Sequence, residues 1–243
     1  MRKALVVGGS NGIGLAIALE LCDKYDVTII DRVAPALGWA DKFNYEQFDL
    51  TQDDYAIFDR HLDADVLMIT AGFGHLALFQ DIQEPLIQQY FQVNTIPVIR
   101  IIKHFYSRLL APNDFYCGVL GSIAGFMSTP FFSVYCATKA ALKVFVESVN
   151  VELEKAGSSN RILNVSPGSI KGTHFNGGQT NDLETTIPLA REIISHLLSK
   201  DDLFIPLYDE VFHDVLERYH KDFRAEGRHS YDYKIQSGRV KVD

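Results

Sequence analysis

Basic residues are in deficit: 23 Lys and Arg stand against 31 Asp and Glu, a net charge of -8. Phosphate backbones are bound by cation clusters, so nucleic acid is not an expected partner. No apolar run approaches the roughly 20 residues that a membrane span needs, so no membrane partner is expected either. Cysteine is scarce. Cys22, Cys117 and Cys136 show neither CxxC nor metal-ligand spacing. An odd count without pairing logic fits a reduced, cytoplasmic protein, with Cys136 as a small buried filler. His61, His75 and His104 are scattered, and His213 and His220 lie too far apart on one helix to share an ion. The expected metal site is therefore none. Internal repeats, low-complexity tracts and linkers are also missing. The charged start Met1-Arg2-Lys3 meets only a short apolar run before Gly8, which reads as a strand and not a signal peptide.

What is present suits one α/β domain across all 243 residues, with a 47% apolar share. Residues 3–7 (KALVV) form a strand. Gly8-Gly9-Ser10-Asn11-Gly12-Ile13-Gly14 follows, then a helical run. Strand, glycine loop and helix together present backbone N–H groups to an anion, and Gly8, Ser10, Asn11, Gly12, Ile13 and Gly14 are the candidate phosphate loop. The second strand, 26–31, ends in Asp31, seventeen residues past Gly14. A carboxylate there suits adenosine ribose hydroxyls and repels a 2′-phosphate, so NAD is favoured. Arg32 keeps NADP possible, because a guanidinium at this point could bind that phosphate.

Further strands are expected at 43–48, 65–70, 115–120, 161–165 and 202–206. Thr51 reads as a helix cap with Asp54 three residues on. Helices are expected over 83–110 (interrupted near Pro97), 134–156, 188–198 and 209–220. Alternating strands and helices imply a parallel sheet covered on both faces. Gly8, Asp31, Asp49-Leu50, Ala71-Gly72, Ser122 and Pro167-Gly168 then fall on the edge where ligands bind. Residues 171–186, polar and glycine-rich, read as a mobile lid. The tail 231–243 alternates and reads as a hairpin or extended arm.

The stretch 118–142 holds the chemistry. Tyr135 and Lys139 lie four residues apart on one helix face, where an ammonium should draw the phenol pKa down from about 10 towards working pH. Such a Tyr can give or take a proton. Ser122, thirteen residues earlier, can fold back onto the same site.

These motifs, in this order, resemble the short-chain dehydrogenase/reductase family over nearly the whole chain to about Leu207. The resemblance implies a single-domain doubly wound parallel sheet (Rossmann fold) of about seven strands with helices on both faces. It implies hydride transfer between a nicotinamide and an alcohol or carbonyl. In that reading Tyr135 exchanges the proton on the substrate oxygen. Lys139 tunes Tyr135 and bonds the nicotinamide ribose. Ser122 donates to the substrate oxygen, and Asn94, in Val-Asn-Thr, positions a water beside Lys139. Pro167, Gly168 and Ile170 lie beneath the nicotinamide. The resemblance also implies a homodimer or homotetramer, paired through the helices carrying Asn94 and Tyr135. The alternative is a non-catalytic dinucleotide-binding sensor or assembly module, which the complete set Asn94, Ser122, Tyr135 and Lys139 disfavours.

There are departures. Val7 stands where the family has Thr, and Ile69-Thr70 where it has Asn-Asn. Thr138 replaces a Ser, and Thr173 comes one place late. Residues 208–243 are an atypical C-terminal helix and tail. Phe73, Gly74, Phe126, Phe131, Phe132, His174 and Phe175 are the expected pocket wall, which suggests an apolar or ring-bearing substrate.

Overall fold

Seven parallel strands form one sheet in the order β3-β2-β1-β4-β5-β6-β7. The structure, a computed structural model, describes residues 1–170, 173, 175 and 182–240. The strands are β1 Arg2–Val7, β2 Tyr25–Asp31, β3 Asn44–Gln47, β4 Val66–Ile69, β5 Tyr116–Leu120, β6 Ile162–Val165 and β7 Leu203–Phe204. The helices are α1 Gly12–Leu21, α2 Glu84–Asn94, α3 Ile96–His104, α4 Tyr106–Leu110, α5 Ser133–Lys155, α6 Leu183–Ser199, α7 His213–Lys221 and α8 Phe223–Gln236.

Both faces of the sheet are buried. The period of two along β1 sends Leu5 and Val7 into a core with α3, α4 and α5, while Ala4 and Val6 meet α1 and α6. Sandwiched under α6, α1 is buried almost all round, as its run of apolar residues requires.

Three expectations are corrected and one is extended. The helical region expected over 83–110 breaks near Pro97 as expected: Thr95 leaves helical geometry (φ -124, ψ -61), and Pro97 near the start of α3 has no N–H to continue the ladder. It breaks once more at Phe105 (φ -90, ψ 6), which makes three helices. Thr51 caps no α-helix: its N–H and hydroxyl both donate to Asp49 Oδ1, at 2.9 and 2.8 Å. Only a 3-10 turn follows, at Ala56–His61. The helix expected at 188 starts at Leu183, capped by the Asp182 carboxylate accepting from Thr185 N, and runs through Pro188. It takes in the end of the expected lid, the rest of which, apart from Thr173 and Phe175, lies outside the described residues. The tail is neither hairpin nor arm: α8 runs through it to Gln236, capped by Asp222 accepting from Arg224 N and Ala225 N at 3.0 Å. Its apolar alternation was misleading because the buried positions, Glu226 and Lys234, are charged residues eight apart on one helix face.

Among the described residues, three non-glycine positions hold left-handed backbone: Phe131 (φ 69), Lys200 and Leu207 (both φ 58). For a buried Phe this costs about 1–2 kcal/mol, which the surrounding packing has to offset.

Candidate functional site

The strand order reverses between β1 and β4, and the glycine loop leaves β1 at that crevice. Gly8 has φ +84, and a Cβ there would lie 2.5 Å from Ala71 N, so only glycine fits. Gly8 N donates to Ile30 O at 2.8 Å on one side. On the other, the Thr70 hydroxyl reaches Val7 O at 3.0 Å and Gly8 O at 2.9 Å. Thr70 thus links β4 to the loop, a buttress made by a hydroxyl where the family has an Asn. α1 starts at Gly12 with no acidic residue in its first turn, so no carboxylate of that turn offsets the positive helix end that suits an anion. Asp31 is half-buried, and its Oδ2 accepts from Ser10 N at 3.1 Å. The Ser10 hydroxyl donates to Val33 O at 2.6 Å. Arg32 and Asp49 are exposed, and the Arg32 charge helps to hold the Asp49 carboxyl below its usual range, behind the two Thr51 hydrogen bonds. This tight glycine turn, positive helix end and ribose-side carboxylate fit a dinucleotide.

Asn94, Ser122, Tyr135 and Lys139 are all buried at this edge. Asn94 ends α2. Its Oδ1 accepts from Phe73 N and its Nδ2 donates to Phe73 O, both at 2.9 Å. Its Nδ2 also reaches Thr138 Oγ1 at 3.3 Å, and Thr95 Oγ1 donates to Thr138 O at 3.1 Å. Thr138 is the brace between the α2–α3 junction and α5. Gly72 separates Asn94 from Lys139: a Cβ there would meet Asn94 Oδ1 at 3.3 Å and Lys139 Nζ at 3.5 Å. Lys139 Nζ donates to Leu120 O at 2.8 Å. Ser122 Oγ accepts from Ala124 N at 3.1 Å and approaches Pro167 O at 3.5 Å, which ties the β5 and β6 turns together.

The electrostatics differ from the expectation. Burial pushes the Tyr135 phenol well above its ordinary value, with a hydrogen bond to Ser122 pulling the other way. Burial also pulls Lys139 down to about 8. The ammonium sits 5.8 Å from the centre of the Tyr135 ring and is spent on the Leu120 carbonyl. In the chain by itself, desolvation outweighs the attraction of the pair.

The wall above Tyr135 is aromatic. Phe132 and Phe175 each lie 5.2 Å from its ring, and Phe73 stacks on Tyr90 at 4.7 Å. Gly74 lets Phe175 close in, since a Cβ there would lie 2.7 Å from the Phe175 ring. Tyr90 was not foreseen; its hydroxyl accepts from His75 N at 2.9 Å. Phe126 stands elsewhere than expected: it lines an apolar groove of about 380 Å3 with Leu203, Phe204, Ile205, Tyr208 and Leu216. His174 lies outside the described residues. Phe212, in the single π-helical turn ahead of α7, packs on Gly168, where a Cβ would lie 2.5 Å from its ring. Leu50, Ala71 and Ile170 also fall on the strand-end edge of the sheet.

Residues 2–184 match the short chain dehydrogenase family, and the chain belongs to it. It is an oxidoreductase that transfers a hydride between a nicotinamide cofactor and a small-molecule alcohol or carbonyl. It is 26% identical to retinol dehydrogenase 8 of Bos taurus over 238 residues, covering 88% of this chain and 73% of that protein. It is 31% identical to 17-beta-hydroxysteroid dehydrogenase type 1 of Homo sapiens over 182 residues, 67% of this chain and 56% of that one. The fold matches a short-chain dehydrogenase from Sphingobium yanoikuyae in complex with NADPH, with a TM-score of 0.73 and 22% identity over 93% of this chain and 95% of that one. No helix among the described residues is long and apolar enough to cross a membrane.

Proposed function

We propose that the chain oxidises or reduces an apolar, ring-bearing alcohol or ketone, with Tyr135 as the proton-exchanging group. The observation that carries this reading is the buried Tyr135 hydroxyl, hydrogen-bonded to Ser122 and walled by Phe73, Phe132 and Phe175. The nicotinamide, when bound, supplies the hydride. Tyr135 passes a proton to or from the substrate oxygen, and Ser122 donates to the same oxygen and fixes it near the hydride path. Lys139, its proton held loosely by burial, bonds the ribose and eases the Tyr135 proton on and off. Asn94 serves the proton relay from the Lys139 side and fixes the backbone at Phe73. Gly8, Ser10, Asn11, Gly12, Ile13 and Gly14 take the pyrophosphate, Asp31 the adenosine ribose, Asp49 and Leu50 the adenine side, and Ala71, Gly72, Pro167, Gly168 and Ile170 the nicotinamide half. NAD is preferred, because the Asp31 carboxylate repels a 2′-phosphate and Asp49 offsets Arg32. The two relatives are named for a polyene alcohol and for steroids, which agrees with a bulky apolar substrate.

The chain acts as one dinucleotide-binding domain with 208–243 as an atypical C-terminal helix and tail, in a cytoplasmic homodimer or homotetramer. The exposed Val144 and Val151 of α5 and Ile96 of α3 support pairing through these helices. The test is a nicotinamide-absorbance assay with NAD and NADP over isopropanol, cyclohexanol, decalol, retinol and a steroid alcohol, run on wild type and Tyr135→Phe. Turnover of the bulky alcohols, lost in the variant with cofactor binding kept, is the expected result. Substantial activity in Tyr135→Phe would sink the assignment.

A further inference from the structure

The C-terminal helix pair docks on the catalytic edge. Arg218 on α7 grips the buried Glu226 on α8, Nε to Oε2 at 2.8 Å and Nη2 to Oε1 at 3.4 Å, which fixes the two helices relative to each other. Just ahead of this pair, Phe212 packs on Gly168. Tyr231 stacks on Phe131, ring centres 4.6 Å apart and 26° from parallel. Lys234, buried one turn further along, has Nζ on Ser230 Oγ at 2.7 Å and lies close enough to the Cys136 thiol for each to perturb the other's protonation.

Phe131 is the point of leverage. It is 3% exposed and holds left-handed backbone, φ 69, which a Phe does not adopt unless held there. Its carbonyl accepts from Ala77 N at 3.0 Å, and its ring is covered by Tyr231. The next residue, Phe132, places its ring 5.2 Å from Tyr135 and gives its carbonyl to Cys136 N at 2.7 Å, the first turn of α5. The twist at Phe131 therefore decides where Phe132 stands over the catalytic phenol.

We propose that Tyr231 is a positioning residue for the substrate wall. It clamps Phe131 in its left-handed conformation and so sets Phe132 against Tyr135. The proposal rests on the reading of Phe132 as substrate wall given above. Tyr231 is far along the chain from Tyr135, and its ring stacks on Phe131; its effect is on substrate fit and not on hydride or proton transfer.

The experiment compares wild type, Tyr231→Ala and Tyr231→Phe in the full chain. It measures KM and kcat for decalol and isopropanol, the cofactor Kd, and the labelling rate of Cys136 by a thiol reagent, mapped by mass spectrometry. In Tyr231→Ala the decalol KM is expected to rise about fivefold or more. The isopropanol KM, both kcat values and the cofactor Kd should stay within about twofold. Cys136 labelling should quicken about tenfold as α8 lifts, and Tyr231→Phe should behave as wild type, since stacking needs the ring and not the hydroxyl. Should Tyr231→Ala fail to fold, Tyr231→Leu keeps apolar bulk without the stack and is read in the same way. An unchanged decalol KM with unchanged labelling overturns the proposal, and so does an equal loss for both alcohols together with weakened cofactor binding. If wild type turns over neither alcohol, the substrate reading fails by itself, and the Cys136 labelling rate decides the clamp.

Discussion

Lys139 Nζ lies 5.8 Å from the centre of the Tyr135 ring and donates to the Leu120 carbonyl, so the ammonium stands beside the phenol while it holds a backbone acceptor. Burial makes both groups harder to charge, raising the phenol and lowering the amine to about 8. This sets the sign of the pH response. The unfolded chain binds a proton on this Lys up to about pH 10.5, the folded chain only to about 8. Between those values the unfolded state holds more protons, so Lys139 makes the cofactor-free chain gain stability as pH rises from 8 to 10.5. Lys139→Met should remove about 2–3 kcal/mol of that pH dependence, read from urea unfolding at pH 8 and 10, and should cut turnover by two orders of magnitude or more. A pH slope identical to wild type would count against a neutral-leaning Lys139.

Lys234 repeats the pattern without a catalytic duty, being pulled down to about 8 by burial, with Cys136 opposing the fall and Arg239 adding to it. Lys234→Met should raise Tm at pH 7 by a few degrees and flatten the pH 8–10.5 rise further, while leaving kcat within about twofold. Differential scanning calorimetry at both pH values checks it; a lower Tm would show that the amine is stabilising.

The Thr70 hydroxyl is shared between Val7 O and Gly8 O. Thr70→Val keeps the shape and loses the proton, so stability should fall by about 1–2 kcal/mol and cofactor Kd should rise several-fold as the glycine loop slackens. Thr70→Ser should retain most of both. Calorimetric titration with NAD on the three proteins distinguishes these outcomes.

Gly168 faces the Phe212 ring, 2.5 Å from where a Cβ would stand. Gly168→Ala should therefore destabilise by about 1–3 kcal/mol, the range for overpacking. The clash should be relieved in the double variant with Phe212→Ala, so the two changes should be strongly non-additive in Tm. Additive losses would mean that Phe212 moves aside freely.

Asp31 holds Ser10 N and faces the ribose side of the crevice. Asp31→Ala should weaken NAD more than NADP, shifting the ratio of their kcat/KM values towards NADP by about tenfold or more. A ratio unchanged in that variant would mean that Arg32, not Asp31, sets the preference.

The sheet, its ligand-bearing edge and the spacing of Tyr135 and Lys139 on one helix were readable in the chain because their signals are local. Glycines that need φ > 0, period-two apolar strands and a Tyr four residues before a Lys depend on neighbours close in sequence. Three things were decided only in three dimensions. The pKa of Tyr135 follows from how deeply Phe132 and Phe175 bury it, and no spacing encodes depth. Thr70 became the loop buttress because β4 lies beside β1 across 62 residues of chain. The tail became part of α8, whose buried face carries Glu226 and Lys234, with Arg218 and His229 paired to the first and Ser230 hydrogen-bonded to the second. Apolar periodicity cannot reveal a face made of ions, so the part of the chain that meets Phe131 beside the candidate active site was hidden until it was folded.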